Sequence, residues 1–239
     1  MNATVTQRLL ELNRRFYAEF GRDFSATRQR IQPGVRQMIT RWQGHQRLLD
    51  LGCGNGELAR TLARAGFQGQ YLGLDFSLPL LKEAGPQPGN FPVEFRALDL
   101  TAPDWALPHA GWSLVTCFAT LHHIPSADLR RQIVQQVSRA LAPGGVFIHS
   151  NWQFLNSEKL KARIQPWETV GLSAADVDEG DYLLDWRAGG SGLRYAHHFS
   201  EQELGRLAAE TGFRVVESFF SDGENGRLGL YQVWDGQSV

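Results

Sequence analysis

The segment LLDLGCGNGELAR, residues 48–60, is the most informative stretch of the sequence. An apolar run is followed by glycines at three alternate positions, Gly52, Gly54 and Gly56, and then by a helical pattern. Glycine is used where φ must be positive or where another group must approach the main chain closely. A strand, a glycine turn and a helix also direct free backbone N–H groups and the positive end of the helix dipole into one small space. The segment therefore predicts a ligand-binding loop.

The sequence around this loop alternates between strand-like and helix-like segments. The strand-like runs are almost continuously apolar and lie at 47–51, 71–75, 93–98, 113–118 and 146–150. The helix-like segments between them lie at 57–66, 78–84, about 103–107 and 126–141. Such alternation predicts a parallel, doubly wound sheet, and nearly continuous apolar strands fit burial on both faces. Ser126 is the predicted N-cap of the last of these helices.

Both ends of the chain extend this core. Helices are predicted at 5–20 and about 34–43, ahead of the first strand. After residue 150 the alternation lapses, and it resumes with a helix at 200–211 whose N-cap is Ser200. Two apolar runs, joined by the turn sequence SDGENG, follow that helix and predict a closing antiparallel hairpin.

Composition and charge narrow the class of protein. The chain has 239 residues, 42% of them hydrophobic and 21% charged, which is typical of a globular domain. It has no apolar run of about 18 residues and no secretory signal pattern, so we expect a cytoplasmic protein without a membrane span. Cys53 and Cys117 are interpreted as free buried thiols, and no metal site is expected.

The charge is unevenly distributed along the chain. The net charge of −1 argues against avid nucleic-acid binding, but residues 1–47 hold nine arginines and three acids, a balance of +6. This asymmetry is typical of a phosphate-binding surface and equally of solvated helix faces, and both interpretations stay open.

Three acids follow the predicted strands. Asp50 precedes the glycines, Asp75 ends the next strand 21 positions beyond Gly54, and Asp99 ends the one after that. Carboxyl ends of adjacent parallel strands meet at the crevice where such folds bind ligands, and an acid after the second strand can accept both ribose hydroxyls of an adenosine. The spacing of the glycines differs from the G-x-G-x-x-G pattern of nicotinamide enzymes. Three carboxylates at one edge suit a ligand that carries a cationic group and a ribose. They suit an anionic pyrophosphate poorly.

Five segments resemble, in order and spacing, the class I S-adenosylmethionine (SAM) dependent methyltransferases: LLDLGCGNGELAR, YLGLDFS, RALDL, SLVTCFATLHHIP and LAPGG. The resemblance covers about residues 45 to 150. It implies an α/β fold with a Rossmann-like, doubly wound, seven-stranded sheet. That sheet is mostly parallel with an antiparallel final strand, and helices lie on both of its faces.

The resemblance also implies the cofactor and its contacts. SAM would be the methyl donor, S-adenosylhomocysteine (SAH) the product, and no metal would take part. The implied cofactor-binding residues are Asp50, Gly52, Cys53, Gly54, Asp75, Phe76, Ser77, Asp99, Leu100 and Phe118. Among these, Asp50 would lie near the amino group, Asp75 would hold the ribose, and Asp99 would face the exocyclic amine of adenine.

Two outer segments, 16–35 and 193–218, resemble the tRNA wobble-uridine methyltransferases that esterify a carboxymethyl group. This likeness implies that Arg28, Arg194 and Tyr195 lie around the acceptor, with His122 as a base or positioning group. Tyr195 is equally explained as a packing residue. A small activating protein partner is implied too. The alternatives are a small-molecule acceptor, such as a carboxylate or a quinone-type ring carbon, and a non-catalytic binding subunit.

We therefore expect one methyltransferase domain over residues 1–239. Its four parts are a helical cap at 1–46, a SAM-binding core at 47–150, an insertion forming a substrate lid at 151–199, and a C-terminal helix and hairpin at 200–239.

Overall fold

The computed structural model describes residues 1–26, 30–41, 46–85, 91–106, 110–187 and 190–236, without the side chains of residues 24 and 41. The helices are α1 (Ala3–Ala26), α2 (Pro33–Arg41), α3 (Glu57–Arg64), α4 (Leu78–Ala84), α5 (Ala127–Ala140), α6 (Glu158–Lys161) and α7 (Glu201–Glu210). The strands are β1 (Arg47–Leu51), β2 (Gln70–Asp75), β3 (Val93–Ala97), β4 (Trp112–Phe118), β5 (Leu141–Trp152), β6 (Ile164–Gln165), β7 (Asp181–Trp186), β8 (Gly192–His197), β9 (Phe213–Ser221) and β10 (Gly229–Gly236).

Seven of these strands form one sheet in the order β3-β2-β1-β4-β5-β10-β9. Strands β1 to β5 pair in parallel, whereas β10 is antiparallel to both β5 and β9. The predicted seven-stranded, mostly parallel sheet with an antiparallel final strand is therefore confirmed. The strand order reverses between β1 and β4, which puts the ligand crevice of such a sheet at their carboxyl ends.

Side chains of β1 alternate between two apolar cores. Leu49 and Leu51 pack into one core with α5 and α7, and Leu48 packs into the other with α2 and α3. Because successive side chains of a strand point to opposite faces, a strand covered on both faces is apolar throughout. This explains the continuous apolar runs in the sequence and confirms helices on both faces of the sheet.

The structure differs from three local predictions. The helix predicted at 103–107 is absent, since residues 101–106 form turns and residue 107 lies outside the described part. Ser126 occupies the N-cap position of α5 as predicted, but it has a φ of 71° and its side chain makes no capping hydrogen bond. The predicted end of that helix is also too late, because β5 already begins at Leu141.

The segment 151–199 forms a small antiparallel sheet of its own, in the order β6-β7-β8. Its strand β8 lies against α1, and the buried side chain of Asn13 makes the junction. The Asn13 amide Nδ2 donates to the carbonyl oxygens of Tyr195 and His123, at 3.2 and 3.0 Å, while its Oδ1 accepts from the Tyr195 N–H at 2.8 Å. The helical cap and the insertion are therefore packed together, whereas the lid role of the insertion stays a prediction.

A buried charged network joins the insertion to the main domain. His197 contacts Asp181 at 2.7 Å through Nδ1 and Glu203 at 2.9 Å through Nε2. The Tyr195 hydroxyl donates to Asp181, and Arg130 donates to that hydroxyl. Burial opposes a charge on His197, but its hydrogen bonds to the two carboxylates outweigh burial and raise its pKa. The network therefore holds an imidazolium between Asp181 on β7 and Glu203 on α7.

This arrangement predicts a loss of stability at alkaline pH. A raised folded pKa stabilises the protein below the ordinary histidine pKa of about 6.5, and that contribution disappears as the pH rises through the folded value, by about 1.4 kcal/mol per unit of pKa shift. Denaturant unfolding between about pH 6 and about pH 9 should show this decline in the free energy of unfolding. His197→Gln should remove it.

His198 is the matched control, because burial lowers its pKa to about 4 and keeps it neutral in that range. His198→Gln should retain the alkaline decline. The same pH dependence in wild type and His197→Gln would contradict the assignment.

Candidate functional site

A cavity of about 460 Å³ opens at the carboxyl ends of β1, β2, β4 and β5. Eleven of the residues predicted for the site line it: Asp50, Gly52, Cys53, Gly54, Asp75, Phe76, Asp99, Leu100, Phe118, His122 and Arg194. Ser77 and Tyr195 are not among the lining residues, and Arg28 lies outside the described residues. A second cavity, of about 690 Å³ between α2 and α3, is lined by none of the predicted residues.

The glycine loop between β1 and α3 needs its glycines for different reasons. Gly52 has a φ of 73°, and a Cβ atom there would lie 2.1 Å from Oγ1 of Thr120. Gly54 has a φ of 54°, and a Cβ atom there would meet no atom within 4 Å. Gly52 therefore permits close packing, and Gly54 leaves the main chain open toward the cavity for a ligand to approach.

Asp75 joins this loop to the end of β2. Its buried carboxylate accepts the N–H of Gly54 at 2.9 Å and the N–H of Ser77 at 2.8 Å, through different oxygens. Burial raises the pKa of Asp75, and the backbone donors act against that rise. Each carboxylate oxygen has a further lone pair, so Asp75 can still accept ribose hydroxyls. Ser77 contributes its main chain, while its side chain is buried outside the cavity lining.

Asp50 is held deeper in the site by two hydroxyl groups. Tyr71 donates to its Oδ2 at 2.5 Å and Thr116 to its Oδ1 at 2.8 Å. Burial raises the pKa of Asp50 to about 6, although both hydrogen bonds oppose the rise. A cationic amino group beside this carboxylate would favour its ionised form.

Asp99 is tied to the helix that covers the cavity. Arg14 on α1 donates to its Oδ2 at 2.6 Å, and Thr101 donates to its Oδ1 through both N–H and hydroxyl. Burial raises the pKa of Asp99, but the hydrogen bonds from Thr101 and Arg14 outweigh it and hold the pKa below its usual value. An adenine amine at Asp99 would share the carboxylate with Arg14.

Arg194 and Tyr195 are neighbours on β8 and point to opposite faces, as adjacent strand residues do. The buried guanidinium of Arg194 lines the cavity and lies over the rings of Trp152, Phe16 and Trp186, at 4.6, 5.5 and 5.5 Å. Tyr195 is fully buried on the other side, where its hydroxyl donates to Asp181 at 2.6 Å. Tyr195 therefore does not line the cavity, because the pleat turns its side chain away, and the packing interpretation accounts for it.

Two histidines beyond β4 have their tautomers fixed by their neighbours. Nδ1 of His123 lies 3.2 Å from the carbonyl oxygen of Tyr195, so it must donate, and in the neutral ring Nε2 accepts from the Tyr17 hydroxyl at 3.0 Å. Nδ1 of His122 accepts from the N–H of Trp152 at 3.3 Å, so its hydrogen is on Nε2. In this arrangement both neutral rings use their lone pair within the protein.

Comparison with known proteins identifies the family, because residues 10–218 match the family described as a methyltransferase domain. The chain belongs to the methyltransferase family. It is similar to a candidate methyltransferase of Encephalitozoon cuniculi, with 29% identity over 85% of this chain and 87% of that protein. It is also similar to a ubiquinone biosynthesis O-methyltransferase of Chromobacterium violaceum, with 26% identity over 81% and 75%. The solved DhpI–SAM–HEP complex shares the fold, with a TM-score of 0.66 and 22% identity over 95% and 97%.

The protein is thus a SAM-dependent methyltransferase, and its cavity fits that cofactor. SAM supplies a methyl group on a cationic sulfur and also carries a cationic amino group, which suits a rim with three carboxylates. The open main chain at Gly54 and the further lone pairs of Asp75 suit a methionine and a ribose moiety. Among the described residues, no group of three acid, histidine or cysteine side chains is placed to hold a metal, and no helix is long and apolar enough to span a bilayer.

Sequence reasoning expected segment 16–35 at the acceptor but missed the contribution of Asn13 and Arg14, earlier on α1, to the methyltransferase site. Asn13, Arg14 and Tyr17 all line the cavity, and Tyr17 also packs edge-to-face on Phe76 at 5.7 Å. The sequence did hold a signal. Asn13 is a polar residue within the stripe of buried apolar positions along α1, and a buried polar side chain requires partners.

The ribose role of Asp75 predicts that Asp75→Ala weakens SAH binding at least about tenfold, ~1.4 kcal/mol. Without the Asp75 carboxylate, the ribose hydroxyls would lose their hydrogen-bond acceptor and be left unpaired. Isothermal calorimetry measures the affinity directly. Asp104→Ala, at an exposed acid that pairs with Arg139, is the control and should bind SAH like the wild type. Unchanged affinity in Asp75→Ala would remove the ribose assignment.

Proposed function

We propose that this methyltransferase transfers the methyl group of SAM to a carboxylate oxygen of a small molecule. The observation that carries the proposal is the buried guanidinium of Arg194 in the cavity wall. A guanidinium is planar and suits a carboxylate by bidentate hydrogen bonding. The rings of Trp152 and Trp186 around it offer an apolar surface for the body of the acceptor.

The histidines support an acceptor that arrives as an anion. His123 accepts from Tyr17, and His122 accepts from the main chain, so neither ring has a lone pair directed at the acceptor to take its proton directly. A carboxylate needs no base, because it is already ionised at neutral pH. The Nε2–H of His122 can instead donate to the acceptor oxygen and help align it with the methyl group.

The relatives support the reaction class. Several curated proteins similar to this chain are named ubiquinone biosynthesis O-methyltransferases, which methylate oxygen on a small molecule. A hydroxyl acceptor of that kind would need a base. Tyr17 and His123 would then act in series, with Tyr17 taking the hydroxyl proton as its own proton passes to Nε2 of His123.

A carboxymethylated wobble uridine in tRNA is the second candidate acceptor. The likeness of segments 16–35 and 193–218 to the enzymes that esterify this base supports it. The same carboxylate chemistry would apply. Since Arg194 is buried, the modified base would have to leave its stack and enter the cavity.

Label transfer from methyl-labelled SAM tests the proposal and separates these acceptors. The enzyme is incubated with the small-molecule fraction and, separately, with the tRNA of cells that lack the gene. We expect label in the small-molecule fraction. Arg194→Gln should lower this transfer at least about 100-fold while SAH affinity changes less than about twofold. The transfer rate of Arg194→Lys should lie between those of the wild type and Arg194→Gln.

Arg187→Gln is the matched control, because Arg187 follows the adjacent strand, is exposed and pairs with Asp185. It should transfer at the wild-type rate. Label in tRNA alone would favour the wobble-uridine acceptor, and full activity of Arg194→Gln would reject an anion held by Arg194.

A further inference from the structure

A second arginine, Arg163, lines the same cavity as Arg194, and Leu160 and Trp152 line it too. Arg163 lies in the turn between α6 and β6 and is half-buried. Both polar groups of its main chain, the N–H and the carbonyl, are hydrogen-bonded. The N–H of Arg163 donates to the carbonyl of Leu160 at 3.0 Å, and its carbonyl accepts from the N–H of Asp185 at 2.9 Å.

Arg163 differs from Arg187 and Arg130, two arginines in and around the small sheet, in having no acid beside it. Arg187 pairs with Asp185 at 2.7 Å, and Arg130 lies 3.6 Å from Glu203. No carboxylate of the described residues lies within ion-pair distance of Arg163. A cation that is partly removed from water at a cavity wall, with no carboxylate beside it, favours an anionic ligand.

Arg163 directly precedes β6, and Arg194 lies on β8, two strands away in the small sheet. In the small sheet Ile164 pairs with Leu184, and Leu184 pairs with Arg194. Two inter-strand spacings are about 10 Å. Leu160 and Trp152 add apolar surface to the wall of this cavity, and the Trp152 ring lies against the Arg194 guanidinium.

We propose that the acceptor carries a second anionic group and that Arg163 binds it. This inference rests on the proposed function, in which Arg194 holds the carboxylate that is methylated. It gives the acceptor class as an apolar dicarboxylate, with one carboxylate at Arg194 and the other at Arg163. Arg163 is then the residue that selects a diacid over a monoacid, and it takes no part in the transfer itself.

The test compares the affinities of matched aromatic diacids and monoacids for the SAH-saturated enzyme, measured by isothermal calorimetry. The probes are terephthalate against para-toluate, and biphenyl dicarboxylate against biphenyl monocarboxylate. Within at least one pair, the diacid should bind the wild type about tenfold tighter or more. In Arg163→Gln this preference should disappear, because the diacid weakens while the affinity for the monoacid stays the same.

Arg163→Lys keeps the charge and should keep most of the preference, and Lys159→Gln, at an exposed cation on α6 outside the cavity lining, should leave it unchanged. Equal affinity for diacids and monoacids in the wild type, or a preference that persists in Arg163→Gln, would overturn the role of Arg163 and leave the proposed function standing. Binding of every acid at the same strength in wild type and Arg194→Gln would instead overturn the proposed function, and the inference with it.

Discussion

The hydrogen bonds of the Asn13 side-chain amide hold together the helical cap, the core and the small sheet of the insertion. Tyr195 belongs to β8, the edge strand of the small sheet, and an edge strand leaves backbone donors and acceptors without a strand partner. Asn13 bonds both backbone groups of Tyr195 and also the carbonyl of His123. One buried side chain thereby fixes α1 to the insertion and to the segment that follows β4.

Because α1 is fixed there, it reaches both halves of the cavity. Arg14 binds Asp99 at the end assigned to adenine, and one turn further along the helix Tyr17 binds His123 near the acceptor end. Phe16 on the same helix supplies one of the rings against the Arg194 guanidinium. The ends of the cavity assigned to cofactor and acceptor are therefore covered by the same helix.

The charges of the cavity suit methyl transfer between oppositely charged partners. Asp50 and Asp75 lie at the end assigned to a cationic cofactor, and Arg194 lies at the end assigned to an anionic acceptor. Transfer from a sulfonium to a carboxylate yields two neutral groups, so charge is being lost in the transition state. An apolar surrounding such as that of Trp152 and Trp186 disfavours separated charges and thus favours this reaction.

Much of the cofactor half was predictable from the sequence because local patterns encode it. The apolar runs predicted the strands, Asp50 and Asp75 lie at the ends of two of them, and the glycines begin directly after the first. The acceptor half depends on contacts between distant segments. Which face of β8 carries Arg194 and which carries Tyr195 is set by the register with β7, and the pairing of Arg14 with Asp99 spans 85 positions.

The alkali lability of the transferred methyl group tests the central claim, a carboxylate acceptor, most directly. A methyl ester releases methanol in mild base, whereas a methyl ether does not. The product labelled from methyl-labelled SAM is isolated and treated with mild base, and volatile label is collected. Release of nearly all label as methanol is the result that the account predicts, and label retained in the product would contradict it and point to a hydroxyl or carbon acceptor.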